Sequence, residues 1–203
     1  MIQVLRQLKT FTEFLAEYPE DGKRYELIDG EVREVRPRGD HEEIASLITR
    51  KLDREIERLN LPWFIPNTCC VKPASDLDGY VPDVIVLDRT QLEVEPLWKT
   101  ASTIVRGASA RLVVEVVSTN WQDDYAKKLE DYEALGIGEY WIVDYRALGG
   151  WRHIGRPKQP TVTVYSLVDG EYRGQMVRAN EPIVSGMFPK LELLAAEVLV
   201  VVG

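Results

Sequence analysis

Arg111-Leu112-Val113-Val114-Glu115-Val116-Val117-Ser118 sets a single carboxylate in the middle of a run that otherwise reads as a fully buried β-strand. An ionised carboxylate taken out of water is destabilising by several kcal/mol unless it is paired, hydrogen-bonded or bound to a metal. Glu115 therefore asks for a cation. Upstream, Pro82-Asp83-Val84-Ile85-Val86-Leu87 is a second apolar run with its own acid, Asp83, near its start. Two acids on two core strands point to a site for a hard cation.

Working outward, residues 121–135 predict a helix and residues 139–143 a strand. With the Glu115 run they make a strand, helix, strand unit whose connection has the length of a crossover. The acid-bearing run at Asp83 follows the loop Ser75-Asp76-Leu77-Asp78-Gly79. Before that loop, Trp63-Phe64-Ile65 and Cys69-Cys70-Val71 read as a strand interrupted at Pro66-Asn67. Ile44, Leu47, Ile48, Leu52, Ile56 and Leu59 recur at helical spacing, with Asp40 placed to cap a long amphipathic helix. Asp29-Gly30 predicts the turn of a hairpin over residues 24–28 and 31–35, and Asp169-Gly170 the turn of a second over 161–165 and 171–173. Thr10 or Thr12 caps a short helix running to Tyr18, and residues 88–107 read as irregular with a helical turn. The expected fold is α/β or α+β: a central mixed β-sheet flanked by helices, with additional β-hairpins.

At 203 residues with 45% hydrophobic composition, the chain suffices for one sizeable core, so residues 1–203 are expected to form a single domain. Cys69 and Cys70 are adjacent and belong to no CxxC pair, which argues against a disulfide framework and against zinc. The chain opens with no basic segment leading into an apolar one. Its longest apolar run, near residues 193–202, is broken by Glu197 and falls well short of a membrane span of roughly 20 residues, so a cytoplasmic protein with no membrane partner is expected. The net charge of −8 supplies no overall attraction for nucleic acid, so any such attraction must come from a local concentration of basic residues. The basic stretch that stands out is Arg146, Arg152, Arg156 and Lys158 around Gly149-Gly150.

The chemistry follows from the acids. Magnesium is small and oxygen-loving, is typically held by one or two carboxylates, and keeps waters that a phosphodiester oxygen can replace. Asp83 and Glu115 fit that need, and a lysine on the following helix, Lys127 or Lys128, could stabilise charge or orient a water. Each has a plainer reading. Asp83 could be a turn acid, Glu115 one half of a structural ion pair, and Lys128 a solvated residue paired with Asp124 four positions earlier. His41 near a helix start could be a surface residue, and His153 has no companion that makes it a general base. Tyr140, Trp141 and Tyr145 are best read as core.

Pro82-Asp83 followed by Glu115-Val116-Val117 resembles the PD-(D/E)XK signature of restriction-endonuclease-like nucleases, except that Val117 stands where a lysine usually falls. Tyr25-Glu26-Leu27-Ile28-Asp29-Gly30-Glu31, a helix headed by His41, Lys128 before Tyr132, and Gly136-Ile137-Gly138-Glu139-Tyr140-Trp141-Ile142-Val143-Asp144 extend the likeness. Together they resemble one branch, the bacterial Uma-two family of endonuclease-like proteins, and Phe188-Pro189-Lys190-Leu191 is similar to its closing segment. The resemblance implies a restriction-endonuclease-like core and a catalytic lysine moved to the helix at Lys128. It also implies Glu26 as a supporting acid and His41 as a neighbour of the site. The expected activity is Mg²⁺-dependent cleavage of DNA, with Mn²⁺ as a substitute, Asp83 and Glu115 as metal ligands, and a homodimer to cut both strands. The alternative is a nuclease-fold binding module without turnover.

Overall fold

A computed structural model describes residues 8–200. In chain order the helices are α1 (Phe11–Ala16), α2 (Gly39–Leu59), α3 (Arg89–Leu92), α4 (Trp98–Ala101), α5 (Lys128–Leu135), α6 (Trp151–Ile154) and α7 (Ala195–Leu199). The strands are β1 (Arg24–Ile28), β2 (Glu31–Val35), β3 (Trp63–Phe64), β4 (Cys70–Val71), β5 (Val84–Asp88), β6 (Thr103–Ile104), β7 (Ala110–Val116), β8 (Glu139–Asp144), β9 (Thr161–Val168) and β10 (Glu171–Val177). A six-stranded mixed sheet in the order β10-β9-β8-β7-β5-β3 is the centre of the fold. Within this sheet only the neighbours β7 and β8 run parallel, joined by the expected crossover through α5.

Strand β7 carries the acid because alternation sorts its neighbours. Leu112, Val114 and Val116 enter one apolar cluster with Ile44, Ile48, Leu52 and Ile56 of α2, whereas Val113 and Val117 enter the other, with Tyr132 of α5 and Tyr140. Glu115 falls on the α5 side. Val84 pairs with Val114 across the antiparallel β5–β7 ladder, so Asp83, one residue earlier, stands opposite Glu115. Val84 and Val86 enter the α2 cluster and Ile85 and Leu87 the other.

Both predicted hairpins form, and their turns are made by Asp29 (φ 52°) with Gly30 (φ 77°) and Asp169 (φ 55°) with Gly170 (φ 85°), the left-handed pairs that suit a two-residue connection. Thr10 caps α1 in a capping box with Glu13. Four expectations are refined. The 63–71 strand is two: β3 joins the central sheet, while β4 pairs in parallel with β6 in a separate ribbon. The residue before α2 is Arg38, not Asp40, and Asp40 in the first turn instead accepts a hydrogen bond from the Tyr145 hydroxyl at 2.8 Å, tying the end of β8 to the start of α2. Residues 88–107 hold α3, α4 and β6. The helix expected from residue 121 begins with a π-helical stretch, Asp123–Lys127, before α5. Tyr140 and Trp141 are fully buried, as expected of core. Of the apolar run near the end, Leu193, Val198 and Leu199 pack into the α2 cluster and residues 201–202 lie outside the described residues. Among the described residues no helix is long and apolar enough to cross a membrane.

One buried acid is purely architectural. Glu139, at the start of β8, accepts hydrogen bonds from Trp141 Nε1 (2.6 Å), Ser185 Oγ (2.6 Å) and the Gly186 and Met187 amides (2.7 and 3.2 Å), so it fastens the 185–187 loop over the sheet. Glu139→Ala strands several buried donors, each costly by about 1–3 kcal/mol. It is expected to destabilise by at least about 3 kcal/mol in urea unfolding, with Glu139→Gln losing less; a change below about 1 kcal/mol contradicts the clamp.

Candidate functional site

Lys128 is the point at which three chain segments meet. Its Nζ lies 3.0 Å from Glu115 Oε1 on β7, 3.2 Å from Glu26 Oε1 on β1 and 3.6 Å from Asp124 Oδ1 in the π-helical stretch. The reading of Lys128 as a solvated helix residue is excluded, because its side chain is only 6% exposed. The π-helical stretch matters locally: its wider turn is closed by the Lys128 amide donating to the Asp123 carbonyl, five residues back. Both Asp124 and Lys128 are buried beneath it. One turn further on, the Tyr132 hydroxyl donates to the same Glu115 Oε1 at 2.9 Å.

Glu26 is held by the backbone. Leu27 and Gly79 exchange amide hydrogen bonds of 2.9 and 2.8 Å, which bolts β1 to the segment leading into Asp83, and Glu26 Oε1 accepts from the Val81 amide at 2.8 Å. Asp83 Oδ2 accepts from the Val116 amide at 2.7 Å, one residue beyond Glu115, and lies 3.2 Å from His41 Nε2. His41 Nδ1 is buried without a hydrogen-bond partner. The five residues expected at the site, Glu26, His41, Asp83, Glu115 and Lys128, are thus brought into one connected network. Lys127, the other lysine considered, turns away to Asp29 and Asp78 at 2.5 and 3.1 Å. Val117, where a lysine usually falls, is buried in the same apolar cluster as Tyr132 and donates its amide to the Val143 carbonyl.

Sequence reasoning missed Asp124 as a member of this network. The Asp124, Lys128 spacing was visible, but an i,i+4 pair looks identical whether it faces water or the sheet. Tyr132 was noticed only as a landmark.

The electrostatics of the cluster are unbalanced. Burial pushes the Glu115 carboxyl well above its ordinary range, and the repulsion of Asp83, Asp124 and Glu26 adds to it against the pull of Lys128. Asp124 is pushed up to about 7, again by burial first and then by Asp83 and Glu26, with Lys128 opposing. Burial alone would lower the Lys128 ammonium, but the surrounding carboxylates outweigh it and hold it well above the ordinary lysine value. For His41 burial likewise pulls down, and Asp83 wins, leaving it raised. Lys128 stays charged, while burial and the neighbouring acids push Glu115 and Asp124 toward protonation.

A cleft of about 460 Å³ opens over the network. Glu26, His41, Asp124 and Lys128 line it, with Arg33, Arg36, Arg38, Arg146, Glu34 and Asp123 also on its walls; Asp83 and Glu115 are not among the lining residues. The arrangement places an acidic, partly protonated floor beneath a rim rich in arginine.

A family model described as "Uma2: Putative restriction endonuclease" matches residues 11–197. Among solved structures, the chain is similar to one described as a putative nuclease belonging to DUF820 from Anabaena variabilis ATCC 29413. That likeness has a TM-score of 0.70 at 18% identity and covers 94% of this chain and 97% of the other. At that identity it establishes the fold, which is the expected one. No curated protein matches.

The raised Asp124 gives a sign-defined pH effect. Between the ordinary aspartate value of 3.8 and about 7 the folded chain binds a proton there that the unfolded chain does not. Stability contributed by this proton is therefore present at low pH and lost as pH rises through about 7. In urea unfolding, the wild type is expected to lose stability relative to Asp124→Asn between about pH 5 and 7.5. A difference that does not change with pH contradicts the assignment.

Proposed function

The chain belongs to the Uma2 family, and from that membership and the Lys128 network we propose that residues 1–203, as a single restriction-endonuclease-like domain, are a metal-dependent endonuclease acting on DNA. The observation that carries the reading is the convergence of Glu115, Glu26 and Asp124 on Lys128, with Asp83 just before β5 bonded to the Val116 amide next to Glu115, and with Glu26, Asp124 and Lys128 lining an adjoining cleft.

The donor chemistry fits magnesium, or manganese in its place. All the acids offer hard oxygen ligands. Glu115, Glu26 and Asp124 close on the single ammonium of Lys128 and Asp83 on His41, so carboxylates outnumber the basic groups and leave oxygen atoms that a divalent cation could take. Among the described residues no three His, Cys, Asp or Glu side chains are placed to hold a metal between them. An ion there would be held by two carboxylates, Asp83 and Glu115, and otherwise by water. When bound, such an ion lowers the pKa of a water and neutralises charge on the scissile phosphate.

The residues of the chain divide the remaining work. Lys128 presents a permanent positive charge, and its ammonium orients the attacking water or stabilises charge developing on the phosphate. Glu26, itself fixed by the Val81 amide, keeps the lysine aimed between the strands. His41 and the Val116 amide together fix the rotamer of Asp83. Arg38 and Arg146 on the walls supply local positive potential that the overall charge of −8 denies, while Arg33 and Arg36 are paired there with Asp123 and Glu34. Cutting both strands of a duplex calls for two such sites, so the proposal includes a homodimer.

The test is cleavage of supercoiled, linear and single-stranded DNA at low salt with Mg²⁺ or Mn²⁺. Wild type, Glu115→Gln and Lys128→Met are to be purified identically and checked for folding. Metal-dependent cleavage by the wild type is expected, with a loss of roughly 100-fold or more in each variant, the scale seen when one electrostatic group is removed. Equal activity in all three identifies a contaminant. No cleavage by any, with nucleic-acid binding retained, moves the protein to the non-catalytic binding module.

A further inference from the structure

Residues 146–158 contain Arg146, Arg152, Arg156 and Lys158 and no Asp or Glu, a formal charge of +4 in a chain whose total is −8. This loop also carries Trp151, whose side chain is about half exposed at 49%. A large ring left in water on a loosely held loop would mean little. This loop is firmly held. The buried Asp144 carboxylate accepts hydrogen bonds from the Leu148 and Gly149 amides at 2.9 and 2.7 Å. Ile154, at the end of α6, is fully buried, and its carbonyl accepts from Arg178 at 2.7 Å. A Cβ at Gly149 would lie 2.9 Å from the Tyr125 ring and 3.0 Å from Asp144, so glycine lets the chain press against the core just before Trp151.

The indole is therefore presented on an anchored turn. The Arg156 guanidinium lies over its ring at 4.3 Å and that of Arg152 at 5.5 Å. The loop starts at the cleft, because Arg146 is one of its wall residues. On the other side Asn120, also a wall residue, is followed by Trp121, whose ring meets His153 at 6.1 Å. Cleft wall, basic loop and exposed indole form one continuous surface.

We propose that this surface is a stacking platform for an unpaired stretch of nucleic acid leaving the cleft, with a base stacked against Trp151 and the backbone phosphates met by Arg146, Arg152 and Arg156. The chemistry selects unpaired bases, since an indole stacks on an exposed base face but finds none on the outside of a duplex. A membrane surface fits less well, because a lone indole among four cations lacks the apolar partners that insertion requires. The proposal takes from the nuclease reading only the direction of the strand out of the cleft, and its test is a binding measurement in EDTA that requires no cleavage.

Fluorescence anisotropy of a labelled single-stranded oligodeoxynucleotide, and of the same sequence as a duplex, compares wild type with Trp151→Ala and Trp151→Phe. Trp151→Ala is expected to unfold in urea as the wild type does, yet to bind the single strand about 5- to 150-fold more weakly, while duplex affinity changes little and Trp151→Phe recovers most of the loss. Arg152→Ala is expected to lower the salt slope of single-strand binding by about 0.7. Equal single-strand affinity in wild type and Trp151→Ala overturns the platform, as does failure of the wild type to bind the single strand. Trp151-dependent binding to vesicles of anionic lipid without binding to the oligonucleotide also overturns it. Trp151-dependent binding by a protein that cleaves nothing supports the platform and counts only against the nuclease reading.

Discussion

Everything at this site depends on one ammonium group. Lys128 is buried at the start of α5, where desolvation alone would lower its pKa, and its ammonium is held well above the ordinary value because Glu115, Glu26 and Asp124 close on it from a sheet strand, a hairpin strand and a π-helical turn. Removing one partner of such a cluster leaves charges that cannot return to water, a loss of about 3–5 kcal/mol in comparable buried pairs. The lysine thus pins the crossover helix to the sheet and the β1–β2 hairpin to both. The same group that organises the fold also holds the positive charge a phosphate would meet.

The arrangement is not that of a purely structural salt bridge. A structural buried acid is saturated by fixed donors, as those around Glu139 illustrate. Around Lys128 the acids outnumber the cations, Glu115 and Asp124 are both pushed toward protonation, and His41 Nδ1 is left without a partner. Clusters with these properties in a cleft are where chemistry is most often found, because a bound cation or an anionic substrate completes their balance. On the proposed reading, the wall arginines and the basic loop beyond them would draw a polyanion to a chain that is acidic as a whole.

Much of this was legible in the amino-acid sequence, for identifiable reasons. Glu115 stood out because its flanks could only be core, and the two-residue period of a strand then determined that it shares a face with Val113 and Val117, not with Leu112 and Val114. Asp29-Gly30 and Asp169-Gly170 announced their hairpins because few residue pairs tolerate two consecutive left-handed conformations. What escaped depends on contacts between distant segments. Asp124 looked like half of a surface pair, and only the packing of its π-helical turn against β7 reveals it as a fourth acid. Asp40 looked like a helix cap until Tyr145, 105 residues away, was seen to donate to it. The split of residues 63–71 into β3 and β4 depends on which partner strands arrive, Leu87 and Asp88 for one and Thr103 and Ile104 for the other.

The central claim is that the Lys128 cluster is electrostatically incomplete until a divalent cation joins it at Asp83 and Glu115. Isothermal titration of MnCl₂ into the wild type, Asp83→Asn and Glu115→Gln tests this directly, without substrate and without turnover. The account predicts saturable binding of Mn²⁺ to the wild type, with release of protons as the acids ionise, and its loss in both variants. No binding to the wild type, or binding that survives both substitutions unchanged, would contradict it.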